Sequence, residues 1–395
     1  MLGYPIDGFF GFSRQIGLGI AAMTRQDIAP SERLFLDDVP FMDVRAPVEF
    51  AKGSFPGAVN VPILDDTQRE KIGTAYKQRG KEAAIALGHQ LATPKVQAER
   101  IAAWRNFVGE HPEGYLFCLR GGMRSKITAS WLSDAGMPYP RIVGGYKEMR
   151  ACLMNGLDGW CELLRWWVVS GRTGTGKTHL LPRLPDTLDL EGMACHRGSS
   201  FGKRVQAQPP QAGFEHVLAI ALLRAAHCGS GVVAVEDESK LIGRRALPEP
   251  VITRMRAAPL VVVEVPLADR VSRIVADYVQ VSANDHLQAY GEEEGHVRFA
   301  ESLVNGLNGI RKRLGDPRHQ EIMGVLDDAL NGFQQRADLE GFRGVIESLL
   351  VHYYDPMYDY QLERKSDRVR FRGAPDAIAD WVGDSWDSAV ARSET

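Results

Sequence analysis

The sequence predicts an α/β chain: an N-terminal parallel-sheet domain, a second α/β domain built on a phosphate-cradling loop, and a mostly helical C-terminal region. Three observations carry that prediction. From Leu36 short apolar strands alternate with helical stretches. Two of the strands run straight into glycine-rich loops, one opening at Cys118 and one at Gly171. From Ala283 onward the pattern is helical. At 395 residues the chain is too long for one ordinary core.

Composition narrows the function classes. Hydrophobic residues at 44% and charged residues at 25% place the chain among globular proteins. Its five cysteines are odd in number and lack a close CxxC pair, which argues against a disulfide framework and a four-cysteine zinc site. A reducing cytoplasm is the expected compartment. With a net charge of only −3, nucleic acid would have to be held by local basic patches. No uninterrupted apolar run is long enough for a membrane helix, so no membrane partner is expected. Residues 1–22 are rich in Gly and Phe, but Asp7 and Arg14 interrupt them and no basic segment precedes them. They read as a non-native or disordered extension rather than a signal peptide, with Met23 as the expected natural start.

In the first domain, expected over 32–156, strands are predicted at 41–44 and 58–61, an amphipathic helix at 100–108 and a strand at 115–118. That last strand enters Cys118-Leu-Arg-Gly-Gly-Met-Arg-Ser125, followed by a helix over 124–135 that Gly136 and Pro138 end. A strand-to-helix turn of this kind turns backbone N–H groups of Gly121 and Gly122 toward the sulfur. Arg120 and Arg124 add positive charge, Ser125 a hydroxyl, and the helix start its dipole. Such surroundings favour a thiolate and bind an anion. A buried structural cysteine would need none of these neighbours.

A joint is expected at 155–159. The second domain, over 160–280, opens with a strand at 166–170 that leads into Gly171-Arg-Thr-Gly-Thr-Gly-Lys177-Thr178. Gly171, Gly174 and Gly176 let the backbone wrap a phosphate chain, Lys177 reaches the outer phosphate, and Thr178 offers a hydroxyl to Mg²⁺. The motif identifies a di- or triphosphate but not the group attached to it. A strand at 232–235 then delivers Glu236, Asp237 and Glu238, where a metal-orienting carboxylate would stand; no one of them can be assigned. His196, Arg197 and Ser199 lie in a loop that reads as substrate-contacting surface. A further strand at 260–265 precedes a helix carrying Arg270 and Arg273. In the C-terminal region, 281–395, four tyrosines near 353–360 adjoin a basic stretch at 361–372, a composition suited to stacking on single-stranded RNA, although the residues by themselves favour a core edge with a solvated face.

Asp43-Val-Arg45, Glu49-Phe50, Gly53, Pro56-Gly-Ala-Val-Asn-Val-Pro62 and Gly144-Gly-Tyr-Lys147 closely resemble the rhodanese signature. In that family the matching cysteine carries sulfur or selenium as a persulfide-type intermediate, and Asp43, Arg45 and Glu49 would tie loops together. Arg124 stands one position further from Cys118 than in common sulfurtransferase loops, which leaves room for a tetrahedral oxyanion. That length also resembles dual-specificity phosphatases, although Phe117 stands where those place a histidine.

A rhodanese-like domain followed by a P-loop domain resembles the tRNA 2-selenouridine synthase family. The cysteine loop, 171–178, Asp189-Leu-Glu191 with 196–202, 236–239 and 353–358 carry the likeness in order. The resemblance implies geranylation of a wobble 2-thiouridine with geranyl diphosphate, followed by replacement of the S-geranyl group with selenium from selenophosphate. It implies no tightly bound cofactor, the tRNA anticodon loop as partner, and an enzyme that supplies selenophosphate. The readings it competes with are a P-loop kinase or switch with a rhodanese sensor, and a non-catalytic tRNA-binding protein.

Overall fold

The computed structural model describes residues 25–382. The 1–22 extension and Met23 lie outside the described residues, as do residues 383–395. Two parallel sheets carry the architecture. In the first, β1 (Phe41–Asp43) lies between β2 (Val59–Asn60) and β3 (Tyr115–Phe117). Parallel bridges from Leu116 to Arg141 and from Ile28 to Ile142 widen it. The second holds β4 (Arg165–Ser170), β5 (Thr187–Leu188), β6 (Val232–Glu236), β9 (Leu260–Val263) and β10 (Val369–Gly373) in the order β10-β9-β4-β6-β5. A small hairpin pairs β7 (Leu241–Ile242) with β8 (Arg245–Ala246). The central strands β6 and β9 are buried along their whole length, which is why they read as continuous apolar runs.

The expected strands at 41–44, 58–61, 115–118, 166–170, 232–235 and 260–265 all fall on these elements, within a residue or two at their ends. The helix expected at 100–108 lies inside Pro94–Glu110, and the one expected at 124–135 is Met123–Asp134. The joint at 155–159 is corrected: a continuous helix, Gly145–Leu163, runs through it. Met149, Leu153, Leu157, Trp160 and Cys161 form its buried stripe at helical spacing, and it packs along helix Gln211–Cys228. One core therefore joins Phe35, Phe41, Phe55 and Phe117 of the first half to Phe214, Leu218 and Leu222 of the second. His216 Nδ1 donates to Ser54 O at 2.9 Å, and its ring lies 4.5 Å from that of Phe55.

The C-terminal region is helical, as expected, from Val281–Tyr290 through Asp355–Glu363, around a core that includes Phe299, Leu307, Leu326 and Phe342. It also contributes something its composition does not announce. Its basic stretch returns to the second sheet as edge strand β10, parallel to β9. Two π-turns, Val275–Gln280 and Leu350–Tyr354, interrupt the helices beside the phosphate loop. Such turns often reposition functional side chains.

Candidate active site

Cys118 sits immediately after β3, buried, with its thiol donating to Ser125 Oγ at 3.3 Å; that hydroxyl in turn donates to Gly122 O at 3.1 Å. The loop is clasped from behind by residues 144–147. Tyr146 N donates to Cys118 O at 2.9 Å and Lys147 N to Leu119 O at 3.1 Å. The approach is so close that a Cβ on Gly145 would stand 2.2 Å from Cys118 O and 2.6 Å from Gly121 N. Here lies the physical reason for the paired glycines: no side chain fits between the two backbones.

Of the two arginines expected to line this loop, Arg120 is exposed, whereas Arg124 forms a two-pronged pair with Glu49. Burial pushes the Glu49 carboxyl up, but the Arg124 hydrogen bond and charge outweigh it and hold the group below the ordinary range. Arg124 is thus pre-oriented at the loop with its charge already half spent, and an anion must share it. Asp43 and Arg45 are structural, as their resemblance implied. The fully buried Asp43 takes two bonds from Arg45, at 2.8 and 2.6 Å, and Arg45 reaches Gly53 O at 2.9 Å. The Arg45 guanidinium also lies 3.9 Å from the Tyr146 ring, which ties this pair to the clasp behind Cys118.

The phosphate loop follows β4. Lys177 Nζ donates to Gly171 O at 2.8 Å and lies 5.6 Å from the Tyr358 ring. Thr178 Oγ1 donates to Glu236 Oε1 at 3.2 Å, and Glu236 Oε2 accepts from Glu191 N at 3.1 Å. Two arginines fix the loop from outside. Arg270 Nε donates to Thr173 O at 2.9 Å and Arg273 Nη1 to Gly174 O at 2.9 Å. The buried Arg270 also forms a bidentate pair with Asp355, which locks the loop to the C-terminal helices. The helix after the loop is short: one turn, Lys177–Leu180, followed by the 3₁₀ turn Leu181–Arg183. Its leucines 180, 181 and 184 are buried, and little dipole remains to help hold an anion. Backbone N–H groups and Lys177 must do that.

The acidic segment after β6 resolves into different roles. Asp237 accepts from Ser170 Oγ at 2.7 Å and from Lys365 Nζ at 2.7 and 2.8 Å, so it is a neutralised tether between strand ends. Glu236 is the carboxylate that meets the loop threonine. The half-buried Glu238 and Glu191 complete a triad with this buried carboxylate. Burial, then mutual repulsion, pushes Glu191 and Glu236 up to about 8 and Glu238 up to about 7. Gly198 closes over this triad: a Cβ there would lie 2.8 Å from both Glu191 Oε1 and Glu238 Oε1. Among the described residues no three His, Cys, Asp or Glu side chains are disposed to hold a metal ion by themselves.

The 196–202 loop folds onto itself, with Arg197 N bonded to Gly202 O at 3.0 Å. His196 has its Nδ1 buried without a partner, and burial followed by the nearby Arg204 pushes its pKa down. Arg197 stacks on Tyr278 at 4.9 Å. Ser199 reaches an apolar cavity of about 60 Å³, walled among others by Thr173 of the phosphate loop, Phe201, Tyr278 and Tyr354. The tyrosine segment proves to be mainly a core edge: Tyr354 is buried and Tyr358 faces Lys177, while Tyr360 is 61% exposed and open to stacking. Its basic neighbours are likewise engaged. Lys365 binds Asp237, and Arg368 donates to the carbonyls of Met255, Arg256 and Ala258.

Sequence reasoning missed Glu191, Tyr358, Lys365 and the loop-holding roles of Arg270 and Arg273. Glu191 and Tyr358 carried a local signal, from their places in the Asp189-Leu-Glu191 and 353–358 motifs; the others act across tens of residues.

The comparisons with known proteins agree in direction. The profile of the tRNA 2-selenouridine synthase AAA domain matches residues 164–388. A protein of Marinobacter nauticus named tRNA 2-selenouridine synthase is 48% identical over 91% of this chain and 98% of its own length. One of that name from Cupriavidus necator is 46% identical over 91% of this chain and 98% of its own. A third, from Pseudomonas syringae pv. tomato, is 50% identical over 86% of this chain and 93% of its own. Among the described residues no helix is long and apolar enough to cross a membrane.

Proposed function

This chain belongs to the tRNA 2-selenouridine synthase family, and from that premise we propose that it modifies one tRNA base at two successive stations. The protein is a tRNA-modifying transferase whose product is 2-selenouridine. At the first station the thiocarbonyl sulfur of 2-thiouridine attacks the terminal carbon of geranyl diphosphate. A C–S bond forms, the C–O bond breaks, and diphosphate leaves with the electron pair into the 171–178 loop, where Lys177 meets its charge. Carriage of Mg²⁺ by the diphosphate suits Thr178 and Glu236, hard oxygen donors beside the loop; the ion would screen phosphate charge.

The single observation that carries this reading is the apolar wall of Phe201, Tyr278 and Tyr354 that meets Thr173; its enclosed space of about 60 Å³ would have to widen to admit a whole geranyl chain. A phosphate loop that opens onto an apolar wall favours a diphosphate with a hydrocarbon tail over one with a polar nucleoside.

At the second station selenium of selenophosphate adds to C2 and geranylthiolate leaves. Water then cleaves the Se–P bond to give phosphate. No oxidation state changes, so no oxidant is needed. We assign this station to the cysteine loop, with Cys118 as its catalytic residue, Arg120 and Arg124 with the loop backbone receiving the phosphate end, and Ser125 fixing the sulfur. The anticodon loop of tRNA and an enzyme supplying selenophosphate are the partners this chemistry requires.

Nucleoside mass analysis tests the reading in selenium-using cells that lack the protein and are re-supplied with variants. Cys118→Ser should accumulate S-geranyl-2-thiouridine, whereas Lys177→Ala should leave plain 2-thiouridine. Hydrolysis of ATP or GTP that depends on Lys177, with both nucleosides unaffected, would establish the rival switch reading instead.

A further inference from the structure

A second apolar cavity, of about 500 Å³, opens directly beside the cysteine loop. Helix Asp66–Leu91 forms one wall with Ile72, Ala84 and Ile85, and helix Met123–Asp134 forms the other with Ile127 and Trp131. The rim includes Arg120, Gly122 and Arg124, residues of the loop that carries Cys118. The first of these helices bends at Gly80, whose φ of 85° and ψ of −175° break the helical run. The bend folds the run back on itself, so that Ile72 Cδ1 lies 3.8 Å from where a Cβ on Gly88 would stand, and both halves line the cavity.

The cavity's volume lies in the range that takes up small organic ligands. Its chemistry is divided: hydrocarbon within and positive charge at the mouth. A free anion has no use for the interior, and a bare uridine has no group to fill it. A base carrying a long hydrocarbon on its sulfur uses both parts. Its C2 would stand at the rim, where the selenium donor binds, while the chain reaches inward. The cavity beside Thr173 cannot serve this purpose, because its neighbouring loop handles diphosphate.

We propose that this cavity receives the geranyl chain of S-geranyl-2-thiouridine during the selenium step, and so selects bases already alkylated. The proposal rests on the geranylation reading above. Until the C–S bond breaks, the chain anchors the base with its C2 at the cysteine loop. Once the released geranylthiolate takes a proton from water it is a neutral thiol, with no charge to hold it at the rim.

The test uses the full chain, selenophosphate, and two ready-made anticodon stem-loop oligonucleotides, one S-geranylated and one S-methylated. The parent protein should prefer the S-geranyl oligonucleotide in kcat/KM by about tenfold or more, as expected for burial of the longer chain. Ile85→Trp, which fills the cavity, should erase most of that preference by raising KM for the S-geranyl oligonucleotide while KM for the S-methyl one stays put. Ile127→Trp fills it from the opposite wall, so the result does not hang on one variant folding; thermal melting identifies the variant that retains the parent's fold. Equal losses on both oligonucleotides, or a full preference kept by a folded filled variant, would overturn the proposal. So would a stability contribution from residues 1–22 that Ile85→Trp abolishes, since that segment would then be the occupant. Because the geranyl group is supplied already attached, failure here leaves the first station untouched. The geranylation reading fails on its own measurement, if the parent makes no S-geranyl product from geranyl diphosphate.

Discussion

Replacing Gly145 by alanine would place a methyl group where the clasp and the cysteine loop already touch. Gly145 has φ of 61°, a left-handed conformation that costs an ordinary residue about 1–2 kcal/mol. The new Cβ would also stand 2.2 Å from Cys118 O and 2.6 Å from Gly121 N. Both obstacles are backbone, so neither can swing aside as a side chain would. Overpacking of this kind adds about 1–3 kcal/mol, and the two contributions together give a loss of about 2–5 kcal/mol. Gly122→Ala supplies the comparison: nothing lies within 4 Å of its Cβ position, so its only cost is the backbone, at φ −89° and ψ −144°, outside the regions an ordinary residue prefers. It should cost about 1 kcal/mol, less than Gly145→Ala. Urea unfolding followed by tryptophan fluorescence reads both, with selenation of an S-geranyl oligonucleotide as a second readout that should fall for Gly145→Ala. A Gly145→Ala protein as stable and active as the parent, or a Gly122→Ala protein more damaged than it, would refute this account of the loop.

The glutamate triad makes stability depend on pH. Glu191 and Glu236 sit at about 8 and Glu238 at about 7, against 4.5 for a free glutamate. The native state therefore keeps protons that the unfolded chain releases. Stability from this cluster is complete below about pH 4.5 and declines as pH rises toward 8. Glu238→Gln should raise the melting temperature more at pH 8 than at pH 6, and an equal shift at both would contradict the assignment. Asp355→Asn leaves the buried Arg270 charge unpaired and should cost about 3–5 kcal/mol, measured by denaturant unfolding, with geranylation lost because Arg270 holds Thr173. Glu49→Gln removes the carboxylate that shares Arg124, so inorganic phosphate should inhibit selenation more strongly, seen as a lower inhibition constant.

Much of this architecture is legible residue by residue, because contiguous apolar runs such as 232–235 and 260–265 can hardly be anything but buried strands. Both anion loops are legible for a similar reason, since glycine, cysteine, lysine and arginine cluster locally there. What escapes the sequence is long-range pairing. Lys365 looks like part of a basic RNA-binding stretch, yet it neutralises Asp237 more than a hundred positions away. Arg124 looks free to bind an anion until Glu49 is found opposite it. The missing joint has a related cause. Asn155, Gly156 and Gly159 are poor helix formers, but Leu153, Leu157 and Trp160 bury the same face and override them. The short helix after Lys177 follows from Pro182 and Pro185, which end it early.

Helix Gly145–Leu163 gains a meaning from its two ends. It starts at the clasp behind Cys118 and stops one residue short of β4, the strand that delivers the phosphate loop. Its 19 residues make a rod about 28 Å long, embedded in the core that both halves share. A swinging arm between the stations would need slack at this point, and the chain provides none. In the proposed two-station scheme the distance has to be covered by the RNA: the base would let go of one mouth and enter the other, and a partly processed base that strayed between them would be exposed to the solvent and to competing tRNAs.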